Sequence, residues 1–140
     1  VGAFLKQEFK RTLFTKLLAV AAILVGIATL PWWTDRMAEQ AFARPEAPTA
    51  DGLLFKAVRL KVLMLNYETA GQCAEKGVIY FPESPYLPDF LFVAATAAEK
   101  GNRPEAAIHW YTRFLELYPN HQYGHQAKSS LEKLKGIHQQ

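Results

Sequence analysis

His121 and His125 stand four residues apart, a spacing that puts two imidazoles on one face of a helix and could hold a divalent ion. No carboxylate lies near them in the chain, and Asn120 with Gly124 favours a turn there, so the pair reads as surface histidines. Cys73 is the single cysteine, which excludes a disulfide scaffold and a cysteine-based zinc site. Set among Gly71 and Ala74, it reads as a buried structural thiol rather than a nucleophile. It also lacks the small-residue box of a lipidation site. Glu99 and Glu105 flank a turn at Gly101-Asn102 and suit solvated helix ends. The chain has no glycine-rich phosphate loop, no serine-centred elbow and no His-Glu-x-x-His. The expectation is a protein with no catalytic, cofactor-binding or metal-binding residues and no small-molecule substrate.

Charge narrows the partners. The 140 residues carry a net charge of +3. Lys6, Lys10, Arg11 and Lys16 against Glu8 already supply all of it. The rest of the chain balances 12 basic against 12 acidic side chains, which leaves no excess to neutralise phosphates and excludes a nucleic-acid-binding domain.

The basic stretch leads into an apolar one. Residues 13–33 hold one charge, Lys16, whose long stem lets the ammonium reach an interface. These 21 residues span roughly 31 Å as a helix, the thickness of a bilayer core. Trp32 and Trp33 close the run where amphipathic rings favour headgroups, and Pro31 is expected at the helix end. Gly26, with Ala19, Ala22 and Ala28, offers small residues for close helix contact. Ala41-Phe42-Ala43 matches a small-x-small cleavage site, but it lies eight residues past the tryptophans and the run is too long for a signal peptide, so a retained anchor is expected. The excess of Lys and Arg before the run puts the amino terminus in the cytoplasm of a single-pass inner-membrane protein and residues 34–140 in the periplasm or its extracytoplasmic equivalent.

Residues 1–12 form an amphipathic cytoplasmic segment, either lying on the leaflet or extending the span. Residues 34–50, rich in small residues with Pro45 and Pro48, read as a linker. Residues 51–140 show helical spacing and no convincing strand, so the fold class is all-α: one transmembrane helix followed by a short array of helical hairpins. Val78–Pro82 and Leu115–Pro119 both end an apolar helix with an aromatic before proline, and the prolines stand 37 residues apart. Aligning on them pairs Ala70 with Ala107, Ala74 with Tyr111, Gly77 with Phe114, Leu54 with Leu91 and Ala57 with Ala94.

The stretch from Asn102 to Asn120 resembles the second helix of a tetratricopeptide repeat, with Ala107, Tyr111, Phe114 and Pro119 on its small, aromatic, packing and terminating positions. The Phe-Pro and Tyr-Pro endings are similar to those of bacterial envelope proteins of that family, such as the lipoprotein of the barrel-assembly machine. The first-helix Trp, Gly and Tyr of the pattern are missing; Lys61 and Ala98 stand where the tyrosine is expected. The resemblance implies repeats at about 51–84 and 88–121 and a capping helix at about 123–135, with Ala70, Ala107, Tyr111, Phe114, Pro82 and Pro119 in repeat packing. The 37-residue offset is then a 34-residue unit with three residues inserted at Pro85-Tyr86-Leu87.

Aromatics make up 13% of the chain and crowd its second half. Trp110 and Tyr111 are adjacent on one helix and cannot both face inward. Trp110, Tyr86 and Tyr123 are therefore the candidates for a protein-binding surface. The expected partners are the lipid bilayer and protein subunits of a membrane complex, for which this chain is an accessory scaffold. The alternative is an anchored periplasmic adaptor, chaperone or assembly factor that binds exported polypeptides. A stack of helix pairs offers either a concave groove for peptide.

Overall fold

A computed structural model describes residues 1–138, and among them the chain is all-α, with six helices and no strand. Two compact units divide it between Trp33 and Thr34.

The first unit is one stretch of helix. Helix α1 (Gly2–Ala43) runs without interruption from residue 2, so residues 2–12 extend the apolar helix. It is long and apolar enough to cross a membrane, and no residue of that apolar stretch is buried. Its hydroxyls are satisfied within the helix: Thr15 donates to the carbonyl oxygen of Thr12 and Thr29 to that of Val25, both at 2.9 Å. Pro31 does not end the helix as expected; α1 continues to Ala43. An interior proline deletes one helical hydrogen bond. The helix persists because the residues beyond it are held by tertiary packing.

That packing opens the second unit. Thr34, Ala38 and Ala41 recur at four- and three-residue steps and are buried in its core. Residues 34–43 are therefore not the extended linker their composition suggests but a helix with one small-residue face pressed against the domain. The connection is left to residues 44–49, which turn tightly through hydrogen bonds from Ala47 to Arg44 and from Ala50 to Ala47.

Five further helices follow: α2 (Ala50–Leu63), α3 (Tyr67–Tyr80), α4 (Leu87–Lys100), α5 (Pro104–Leu117) and α6 (Gly124–His138). Helices α2, α4 and α6 start 37 residues apart, and α1, α3 and α5 end 37 residues apart. The loops 81–86 and 118–123 have equal length, so the residues read as a three-residue insertion belong to every unit. The end of α1 occupies the place of a second helix in a preceding half-unit, and Pro45 stands 37 residues before Pro82 just as Pro82 does before Pro119. The repeat thus begins earlier than the first legible proline.

The turns obey the same period. After α2, the Leu65 amide bonds to the Val62 carbonyl and that of Asn66 to Lys61; after α4, Asn102 bonds to Glu99 and Arg103 to Ala98. Both are Schellman-type ends, with Leu65 (φ 58°) and Asn102 (φ 54°) in the left-handed region. Asparagine adopts that conformation readily, whereas leucine is strained in it.

The core of the second unit is built from Leu54, Ala57, Val58, Phe90, Leu91, Ala94, Ala107, Tyr111 and Phe114, among others. Small residues let α3 and α4 approach closely: a Cβ added to Gly71 would lie 2.5 Å from the Cβ of Ala97. On α6, Ala127, Leu131 and Leu134 face inward, while Lys128, Glu132, Lys133 and Lys135 are exposed.

Candidate functional site

The repeat junctions are clasped by aromatic pairs. Tyr86 stacks on Phe55 with centroids 4.4 Å apart, and Tyr123 stacks on Phe92 at 4.6 Å, one period later. The Arg59 guanidinium lies 5.7 Å from the Phe55 ring on the same cluster. Each tyrosine is set by a side chain two residues earlier: the Tyr86 amide donates to Ser84 Oγ at 3.1 Å, and the Tyr123 amide to His121 Nδ1 at 3.3 Å. Ser84 in turn donates to Asp51 Oδ2 at 2.7 Å, tying the loop to the first turn of α2. Tyr86 and Tyr123, expected on a contact surface, are thus half-buried and engaged in holding successive helix pairs together. The fixed interval between Phe and Tyr in both pairs carried that signal.

His121 has a structural place. Its ring meets Phe114 edge-on with centroids 5.5 Å apart and Tyr123 at 5.1 Å, while His125 is exposed at the start of α6. Among the described residues, no three His, Cys, Asp or Glu side chains gather into a possible metal site.

Trp110 is half-buried on α5, its ring edge-to-face with His109 at 5.0 Å, while its neighbour Tyr111 is buried. Tyr111 carries a side-chain hydrogen-bond network at the core. Its hydroxyl donates to Glu99 Oε2 at 2.7 Å and lies 3.4 Å from Thr96 Oγ1. Burial pushes the phenol above its ordinary value, and the Glu99 carboxylate adds to the rise. Ala70, Ala107 and Phe114 are fully buried, and Pro82 and Pro119 are exposed at the helix ends.

Lys61 is the charged residue of this core. It is 2% exposed, and its ammonium donates to the Asp35 carboxylate, which is 60% exposed. The aliphatic stem is buried at the position that Ala98 takes one period later, and the pair ties the end of α2 to the second residue of the domain. Nothing in the local sequence announced this partner, since 26 residues separate the two. Cys73 is half-buried nearby, and burial pushes its thiol up against the opposing pull of Lys61 and Lys76. It is held as a thiol, the poorly nucleophilic form.

On the first unit, Lys16, Gly26, Trp32 and Trp33 are all exposed, with the two indoles edge-to-face at 4.9 Å. A Cβ on Gly26 would meet nothing within 4 Å, which leaves that face open to another helix.

No family model, curated protein or solved structure matches this chain.

Proposed function

We propose that the chain is a non-catalytic, membrane-anchored scaffold of tetratricopeptide-repeat type, an accessory subunit of a larger inner-membrane complex. One observation carries this reading: α1 is apolar with no buried residue through 13–33, then buried on one face from Thr34 onward. An apolar cylinder of that length needs lipid or protein around it, whereas the helical body beyond has its own core. The basic residues Lys6, Lys10, Arg11 and Lys16 favour a cytoplasmic amino terminus and an extracytoplasmic repeat domain. Gly26 on the anchor and Trp110 on α5 supply the surfaces for neighbouring subunits.

Purification of the full chain in mild detergent, followed by mass spectrometry, tests the reading. The expected result is stoichiometric co-purification with one set of membrane subunits. Sub-stoichiometric association with many exported polypeptides would sink it in favour of an anchored adaptor or chaperone.

A further inference from the structure

The turn between α2 and α3 is out of keeping with its own repeat. Leu63 is 75% exposed and Leu65 72%, the two most exposed leucines of the described chain. Leu65 holds a left-handed backbone conformation that disfavours leucine. The equivalent turn one period later shows what this geometry needs in water: Lys100, Gly101 and Asn102 replace Leu63, Met64 and Leu65 on the same hydrogen-bond pattern. The backbone is shared and the polarity inverted, so the leucines answer to something outside the fold.

Position within the domain says what that is. The Lys61–Asp35 ion pair holds the last turn of α2 against the first turn of the domain, where the chain has just left its apolar run at Trp33. Leu63 and Leu65 follow Lys61 by two and four residues, beyond that pair. The α4–α5 turn shares this end, since Leu65, Tyr67, Lys100 and Arg103 line one depression. This end of the domain is the one at which the chain enters it, at Thr34 and Asp35. The other end of the domain carries the proline loops.

We propose that Leu63-Met64-Leu65 is a second lipid contact, with both leucines seated at the boundary between headgroups and acyl chains of the bilayer that α1 crosses. The proposal rests on the anchoring reading above. Burying two leucines there gains apolar contact that water denies them, and the left-handed turn presents them together. The polar α4–α5 turn stays in the headgroup layer or above it.

The test uses the full chain with Cys73→Ala, reconstituted in phosphatidylcholine vesicles whose lipids carry a spin label near the carbonyl end or near the methyl end of the acyl chain. An environment-sensitive fluorophore is placed in turn at Met64→Cys, Val25→Cys and Ile79→Cys. The Met64 probe is expected to be quenched by the shallow label, the Val25 probe by the deep one and the Ile79 probe by neither. Adding Leu63→Ser and Leu65→Ser should abolish quenching at Met64 with helical circular dichroism unchanged. An unquenched Met64 probe beside a quenched Val25 probe overturns the proposal while the anchor stands, and assigns the leucines to a protein neighbour. Quenching at Ile79 as well also overturns it, because the bilayer contact is then not confined to this turn. An unquenched Val25 probe defeats the anchoring reading and the proposal together.

Discussion

Lys61 shows how one residue can bind two parts of a chain that sequence keeps apart. A buried ammonium is tolerated only with a partner, and Asp35 is that partner. Asp35→Asn should cost about 1–3 kcal/mol, less than for a fully enclosed pair because Asp35 itself is largely in solvent. Chemical denaturation of the full chain in detergent would show the loss, and Lys61→Met in the same variant should restore most of it. Full stability in Asp35→Asn alone would mean the ammonium finds water instead. Asp89 makes a second residue-scale case. Burial in the first turn of α4 raises its carboxyl above the ordinary 3.8, against the lowering by His121 and Arg59. A raised folded pKa means the folded state holds the proton more tightly, so Asp89 favours folding below the unfolded value and loses that as pH rises through the folded one. Asp89→Asn should therefore be the more stable protein at pH 7, with the difference shrinking toward pH 4 in denaturation midpoints. A gap that widens on acidification would reverse the sign and refute the assignment.

At the scale of elements, close approach matters more than side-chain chemistry. Helices α3 and α4 meet where Gly71 faces Ala97, and no methyl fits between them. Gly71→Ala gains helix propensity of about 1 kcal/mol, but the clash demands a backbone shift costing about 1–3 kcal/mol, so the net effect is destabilising. Ala97→Gly in the Gly71→Ala background should recover the melting temperature, which simple overpacking elsewhere would not allow. The stacked pairs Phe55–Tyr86 and Phe92–Tyr123 work at the same scale. Each ring joins a first helix to the loop that starts the next unit, so a unit is closed only by its neighbour.

For the whole molecule, the decisive property is the change along α1 from a helix with no buried residue to one buried on a single face. The topology read from charge has a direct check. Thr49 is exposed in the short connector, and Thr49→Cys in a Cys73→Ala chain should react with an impermeant thiol reagent in intact spheroplasts. Protection until lysis would invert the orientation. Much of this architecture was legible in the chain: the apolar run, the all-helical body, and the 37-residue period carried by Pro82 and Pro119. Periodicity and composition are local properties, and helices long enough to show a face declare themselves locally. The half-unit at the end of α1 was hidden because Thr34, Ala38 and Ala41 are small and two prolines follow, a composition that also suits a linker. The roles of Tyr86, Tyr123 and His121 were hidden for a related reason. An aromatic beside a turn has the same sequence signature whether it meets a partner or the next repeat. By itself, the sequence determined which segments are helical, which is apolar and how often the pattern returns. Only the tertiary structure decided which faces close on one another, that Lys61 meets Asp35, and that Leu63 and Leu65 are left uncovered, because burial depends on neighbours brought from far along the chain.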